Sequence, residues 1–253
     1  MFRTRRGPPS GPEPLCGSGC GHYATFLRVS GNGNARNQAK LEDARRDMVA
    51  RQIRGRGIRS PRVLAAMEAV PRHLFVRSDL IEHAYDDEAL PAGEGQTISQ
   101  PYVVAAMVEA LSLKDDERVL EVGAGTGYLA AVLSQVAREV IAVEAIPALA
   151  ESARERLARL GCANVRIQVA DGSQGLPEEA PFQGILVSAA APSVPQPLVD
   201  QLAAGGRLVI PVGPAEDQQL VRIMKTNGRT THEELFACRF VPLVGRYGWR
   251  DSR

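Results

Sequence analysis

The 253-residue chain is poor in aromatic side chains, 5% with a single Trp, and holds only four cysteines. No apolar run approaches the ~20 residues that cross a bilayer, which excludes an integral membrane protein built on helices. Cys16, Cys20, Cys162 and Cys238 form no spaced framework, so a disulfide-stapled secreted domain is excluded and reduced thiols are expected. Cys16-Gly17-Ser18-Gly19-Cys20-Gly21-His22 resembles half a zinc site. No second cluster completes a tetrahedron, and no metal is expected. His73, His83 and His232 are scattered without ligand spacing and are expected on the surface or in loops. The basic start Met1–Arg6 runs into Gly7-Pro8-Pro9 rather than an apolar stretch, so the expectation is a cytoplasmic protein with no membrane partner.

The formal charge is also small, +1, but it is unevenly spread. Residues 1–40 carry six Lys/Arg against Glu13, while the remainder carries 24 basic and 28 acidic residues. A net-negative folded part has no general attraction for phosphate backbones, so no nucleic-acid partner is expected. Residues 1–39 are rich in Gly, Pro, Ser and Asn without a hydrophobic period. Such a segment cannot offset its ordering entropy by burial and predicts a disordered extension.

From Lys40 onward the pattern is structured. Leu41, Ala44, Met48 and Ile53 fit a helix ending near Gly55-Arg56-Gly57. Ser60-Pro61 opens a second helix, and a third runs from about Pro101 to Leu111 with Ser99 or Gln100 as its cap. Residues 40–112 therefore form an N-terminal helical segment packed on a core at 113–253. In that core, strands are predicted at Arg118–Val122, Glu139–Val143, Val165–Val169, Gly184–Ser188 and Arg207–Ile210. Helices fit Tyr128–Ala137, Pro147–Leu160 and Val194–Leu202 between them. Such alternation predicts an α/β fold, a doubly wound, mostly parallel sheet. Leu220–Lys225 and Glu233–Val241 flank Thr226-Asn227-Gly228-Arg229, an Asn-Gly hairpin signal, so the sheet is expected to end in antiparallel strands.

Arg118–Val122 runs into Gly123-Ala124-Gly125-Thr126-Gly127-Tyr128, a strand entering a Gly-rich turn and then a helix. The spacing is G-x-G-x-G, not the G-x-G-x-x-G of a dinucleotide cradle. Glu121, just ahead of the first glycine, would repel a pyrophosphate but suits a ligand with an ammonium group. S-adenosyl-L-methionine has one, with a sulfonium and no phosphate. Glu144 closes the next strand 21 positions after Gly123, where doubly wound folds place an acid on ribose hydroxyls. Asp171-Gly172, after the third strand, offers an acid and backbone donors to the adenine. Glu121, Gly123, Gly125, Gly127, Glu144, Asp171 and Gly172 are thus the expected cofactor residues. Thr126 and Tyr128 either start the helix or line the cleft. Pro211-Val212-Gly213, at the end of the fifth strand, is a candidate substrate wall. Tyr247 and Trp249 are expected to pack.

Gly95-Gln96-Thr97-Ile98-Ser99-Gln100-Pro101-Tyr102 resembles the signature of the protein-L-isoaspartate O-methyltransferase family. The resemblance runs from about Ala44 to Trp249. It takes in Ala84-Tyr85-Asp86-Asp87, Leu90-Pro91, Ala189-Ala190-Ala191-Pro192, Leu208-Val209-Ile210-Pro211-Val212-Gly213 and Arg239-Phe240-Val241-Pro242-Leu243. It implies a Rossmann-like methyltransferase sheet and methyl transfer from S-adenosylmethionine to the free α-carboxylate of L-isoaspartyl residues. It also implies a catalytic serine at Ser99 and a monomer acting on damaged proteins and peptides.

The residues suit this chemistry independently. A carboxylate of pKa about 3.5 is already ionised at neutral pH and needs no general base. It needs positioning, and the start of the third helix offers free N–H donors and partial positive charge. Thr97, Ile98 and Ser99 are expected to hold the acceptor, Ser99 through its hydroxyl; the plain alternative is that Ser99 only caps the helix. An RNA or small-metabolite methyltransferase, or a binding module without activity, are the competing readings. Asn32-Gly33 and Asn227-Gly228 are themselves sequences prone to isoaspartyl damage.

Overall fold

The computed structural model describes residues 32–250. The Cys16–His22 cluster and residues 1–31 of the expected extension lie outside the described residues. Residues 32–39 depart from expectation, because they open helix α1 (Asn32–Asp47). Ala35, Arg36, Gln38, Ala39 and Lys40 are good helix formers, and Gln38 Nε2 donates to Glu42 Oε1 one turn on (3.2 Å). The missing hydrophobic period there marks a solvated stretch of helix. After Asp47 the backbone widens into a π-helical turn, Met48–Ile53, then tightens over Arg54–Arg56 and stops at the left-handed Gly57. Met48 and Ile53 are fully buried.

Helix α2 (Pro61–Ala69) starts as expected, with Pro61 in its first turn and the Ser60 side chain accepting from Val63 N. The two-stranded hairpin β1 (Leu90–Gly93) and β2 (Gln96–Ile98) leads into α3 (Pro101–Leu111). The core then alternates β3 (Arg118–Val122), α4 (Tyr128–Leu133), β4 (Glu139–Glu144), α5 (Pro147–Arg159), β5 (Val165–Val169), β6 (Phe182–Val187), α6 (Gln196–Asp200), β7 (Leu202–Val212), β8 (Gln218–Thr226) and β9 (Arg229–Cys238). The sheet order is β5-β4-β3-β6-β7-β8-β9. Pairing is parallel from β5 to β7 and antiparallel for β7–β8 and β8–β9.

Alternate strand residues divide between the two faces. Val119, Val140, Ala142 and Leu186 join the core under α1 to α5. Leu120, Ile141, Val143 and Ile185 join the opposite core with Leu198 of α6 and Leu243. Burial on both faces explains why β4 reads as a continuous apolar run over Val140–Val143, and why Glu121 is the one polar residue in Val119–Val122 of β3. Helix α4 is shorter than expected. The helix expected over Val194–Leu202 shrinks to α6, because Leu202 is drawn into β7 by pairing with Phe182. No helix of the described residues is long and apolar enough to cross a membrane.

The β8–β9 connection is the expected two-residue hairpin. Thr226 pairs with Arg229, and Asn227 (φ 51°) and Gly228 (φ 75°) both take the left-handed conformation of a primed turn. Succinimide closure at Asn227 requires this turn to open. Deamidation there should therefore be slower in the folded protein than in a free peptide of the same sequence, as read by peptide mapping after storage. Equal rates would mean that the hairpin end is already frayed.

Candidate active site

A cavity of about 440 Å³ opens at the carboxyl ends of the parallel strands. In a doubly wound sheet this is where the strand order reverses, here with β4 and β6 on either side of β3, and where ligands bind. One wall is the turn after β3. Gly123 N and Ala124 N donate to Val143 O (2.9 and 3.1 Å), folding the turn back onto β4. Glu144 fixes the neighbouring loop, accepting from Gly125 N through Oε2 (2.8 Å) and from Ile146 N through Oε1 (3.0 Å). Gly123, Gly125, Thr126, Tyr128, Glu144 and Gly172 all line the cavity. Gly127 does not. It has φ 84°, and a Cβ on it would lie 3.3 Å from Ala153 Cβ and Leu157 Cδ1. Its job is to let α4 begin against α5.

Glu121 lines the same cavity, and its side chain is completely buried. Neither carboxylate oxygen has a hydrogen-bond partner. Burial, and then repulsion from Glu144, push its pKa well above the ordinary glutamate value. A desolvated, orphaned carboxylate is costly and asks for a positive partner. The ammonium-bearing end of S-adenosylmethionine fits that demand, and the glycine turn gives its body a close approach to backbone.

Asp171 is placed differently from expectation and does not face the cavity. Its Oδ1 accepts from Ser173 N (3.0 Å) and Ser173 Oγ (2.7 Å). Oδ2 accepts from Gln174 Nε2 (3.0 Å) and from Arg246 N (2.9 Å). Burial works upward on its pKa, but these donors, Arg246 N foremost, hold it below the usual aspartate value. Asp171 thus anchors the C-terminal segment, which continues the cavity wall over Arg239–Val244. Trp249 packs as expected, its Nε1 donating to Ala190 O (3.0 Å), and Tyr247 stays partly exposed.

Another part of the lining is the end of β2 and the start of α3. Thr97, Ile98, Ser99 and Gln100 form it together. Ile98 is buried opposite Leu90, and Thr97 pairs with Pro91. Ser99 is not the helix cap. Gln100 occupies that position, and no side chain caps the helix. Gln100 instead donates to Asp87 O (2.8 Å) and Asp87 Oδ1 (2.9 Å), and Asp87 is paired with Arg56 (3.0 Å). The Ser99 hydroxyl has no partner within the described residues. Pro101 has no N–H and Val104 N donates to Gln100 O (3.1 Å), so the first-turn amides left near the uncommitted hydroxyl are those of Tyr102 and Val103.

Pro211 and Val212 do not reach the cavity. Pro211 O accepts from Ala191 N (3.0 Å), and Gly213 N returns to Ala191 O (3.0 Å). They brace the segment after β6, of which Ser188 and Ala189 are the lining part. The wall assigned to them is built by Ala237–Val244, and on the other side by Asp87–Ala89. Arg239–Leu243 and Asp86-Asp87 were already visible as matched motifs, without any sign of which surface they face.

His73 also corrects an expectation, since it is 5% exposed. Its Nδ1 lies 2.7 Å from the Tyr85 hydroxyl. Burial, and then the charge of Arg45, lower its pKa to about 4. Between the unfolded value near 6.5 and that figure the unfolded chain binds more protons, so His73 costs stability as pH falls through this window. Urea midpoints from pH 7 to 4 should fall more steeply for wild type than for His73→Gln. Identical slopes would contradict a neutral buried imidazole.

An orphaned, buried Glu121 beside a glycine turn at the switch point of a doubly wound sheet answers a donor that is cationic and free of phosphate, which is the class of the doubly wound methyltransferases. Residues 43–248 match the family model described as Protein-L-isoaspartate(D-aspartate) O-methyltransferase. A protein-L-isoaspartate O-methyltransferase of Methanoculleus marisnigri is 54% identical over 208 residues, which is 82% of this chain and 94% of that one. One of Roseiflexus castenholzii is 55% identical over 205 residues, 81% and 94% of the two chains. Among solved structures, a protein-L-isoaspartate O-methyltransferase superposes with a TM-score of 0.73 at 30% identity, covering 80% of this chain and 67% of that one. A proposed protein-L-isoaspartate O-methyltransferase from Plasmodium falciparum, in complex with S-adenosyl-L-homocysteine, gives 0.69 at 28% identity, covering 78% and 96%.

The chain belongs to the protein-L-isoaspartate (D-aspartate) O-methyltransferase family. It is an S-adenosylmethionine-dependent enzyme that methylates the free α-carboxylate of L-isoaspartyl residues in damaged proteins and peptides. The RNA, metabolite and non-enzymatic readings give way to this one.

Proposed function

We propose that this chain carries out that reaction by holding an acceptor anion at Ser99 opposite a cation held at Glu121. The observation that carries the reading is the pair of uncommitted groups that line one cavity, a buried carboxylate and a hydroxyl at a helix start. S-adenosylmethionine, when bound, supplies an electrophilic methyl group on a positively charged sulfur. Glu121 faces its ammonium end, and Gly123, Gly125, Glu144 and Gly172 form the bed for the rest.

The acceptor carboxylate arrives ionised, so no side chain has to remove a proton. Ser99 donates its hydroxyl hydrogen to one carboxylate oxygen, while the backbone around Thr97 and Ile98 fixes the peptide. The other oxygen is left in line with the donor. Orientation of this kind is worth up to about 7–11 kcal/mol in favourable cases. The product ester is a better electrophile than the carboxylate. The next backbone nitrogen then attacks the ester carbonyl, giving up its proton and expelling methanol, and closes a succinimide whose hydrolysis returns part of the material to normal aspartate.

The net-negative charge after residue 40 supports a protein or peptide partner over nucleic acid. The reading extends to a cytoplasmic monomer. Tritium transfer tests the function directly, comparing an isoaspartyl peptide, its aspartyl twin and RNA. Label on the isoaspartyl peptide alone is expected; efficient labelling of RNA, or equal labelling of the twin peptides, overturns it.

A further inference from the structure

Arg72 is a charge that the mechanism above does not use. It sits in the short 3-10 turn Arg72–Leu74 and is fully buried. No carboxylate of the described residues pairs with it. Its Nε donates to Ala84 O (2.8 Å) and its Nη2 to Glu88 O (3.4 Å). The guanidinium carbon lies 5.0 Å from the centre of the Tyr128 ring, and Nη1 has no partner. Burial lowers its pKa, yet a guanidinium keeps its proton in proteins. Sinking an unpaired cation is costly, and a mere core filler would be an apolar residue.

What Arg72 touches lies on both halves of the site. The carbonyls of Ala84 and Glu88 bracket the loop that becomes the acceptor lip, where Asp87 and Glu88 line the cavity. Gln100, adjacent to Ser99, hangs from Asp87. Tyr128 belongs to the other half, as the first residue after the glycine turn, and it also lines the cavity. Phe75 packs edge-on against Tyr128, the ring centres 5.5 Å apart. Arg156 closes the chain of contacts, lying over Phe75 and donating to Thr126 O (2.6 Å) in the glycine turn.

We infer that Arg72 is a positioning residue, whose fork ties the acceptor lip to the cofactor turn and sets the distance between acceptor carboxylate and donor methyl. The inference rests on the function proposed above. Two carbonyls four residues apart, with a ring beneath, require the divergent donors and flat face of a guanidinium. A lysine ammonium keeps the charge and loses both.

The test is Arg72→Lys, with Arg72→Gln as the second variant because it removes the buried charge and its desolvation cost. Cofactor affinity is measured by calorimetry, and kcat and KM are measured with an isoaspartyl peptide. Expected for either folded variant is cofactor affinity within about threefold of wild type and kcat at least about tenfold lower, since an ångström of misplacement can cost a hundredfold. An unchanged kcat in a folded variant overturns the inference. So does a parallel loss of kcat and cofactor affinity, which is what general loosening of the fold produces. Failure of the functional reading itself would show separately, as a wild-type enzyme that ignores the isoaspartyl peptide.

Discussion

Ser99→Ala should lower methyl transfer to an isoaspartyl peptide by about ten- to a hundredfold while leaving cofactor affinity within about twofold. A hydrogen bond to a charged group is worth about 1.5–3 kcal/mol, and each 1.36 kcal/mol off the barrier is tenfold in rate. The bond matters most in the transition state, where it fixes which carboxylate oxygen points at the methyl group. The residues proposed to hold the cofactor stand at the ends of β3 and β4 and are left unchanged by this substitution. Stability separates this role from capping. Loss of a Ser cap costs about 1 kcal/mol, but Gln100 holds the cap position and the Ser99 hydroxyl bonds to nothing in the protein. Thermal unfolding of Ser99→Ala should therefore shift by less than about 0.5 kcal/mol, as for a surface change. Wild-type turnover would remove Ser99 from the reaction. A large loss of stability alongside lost turnover would return it to a structural part.

The sequence carried the sheet well, for a physical reason. β3 and β5 begin and end where expected: β3 is a doubly buried strand bounded by turn residues, and β5, at the sheet edge, alternates Val165, Ile167 and Val169 with the polar Arg166 and Gln168. The hairpin was equally legible, since few dipeptides other than Asn-Gly take two left-handed residues at low cost. Strand-end positions on the cavity were readable for Glu121, Gly123, Gly125, Glu144 and Gly172, because a parallel sheet presents all its carboxyl ends on one edge. The failures share a different origin. Asp171, Gly127, Pro211 and Val212 all lie at that edge but outside the cavity lining: Asp171 holds Ser173, Gln174 and Arg246, Gly127 lies against α5, and Pro211 pairs with Ala191. Chain order places a residue at a strand end; it does not say which neighbour claims its side chain. The C-terminal wall Ala237–Val244 depends on the segment after β9 returning to the β6 end, where Ala190 N donates to Val241 O (2.8 Å). That contact spans some fifty residues of chain, and no local pattern encodes it. Helix α1 was missed at residues 32–39 because helix propensity there comes without an apolar stripe.

Glu121→Gln should weaken S-adenosylmethionine binding by more than about tenfold and at the same time stabilise the cofactor-free protein near neutral pH. Truncating one member of a buried, charged pair costs about 2–5 kcal/mol, and at 1.4 kcal/mol per decade the lower bound already exceeds tenfold. The gain in stability has the opposite cause. Without cofactor the carboxylate is buried with no partner, so its folded pKa stands above its unfolded value. The folded state then binds more protons than the unfolded one, from the ordinary glutamate range upward to that raised pKa. Stability of the empty protein is therefore lost as pH rises through that window. An amide in the same place has nothing to titrate. Its unfolding midpoint should be higher than wild type at neutral pH and flatter against pH. Binding of the cation reverses the preference, expelling the proton, so wild-type affinity should tighten as pH rises. Calorimetry in two buffers of different ionisation heat should register proton release for wild type and less for Glu121→Gln. Comparing donor with S-adenosyl-L-homocysteine, which keeps the ammonium and lacks the sulfonium, locates the contact. Equal weakening of both assigns Glu121 to the ammonium end; weakening of the donor alone moves it to the sulfur; no weakening of either leaves the buried carboxylate without a ligand to explain it.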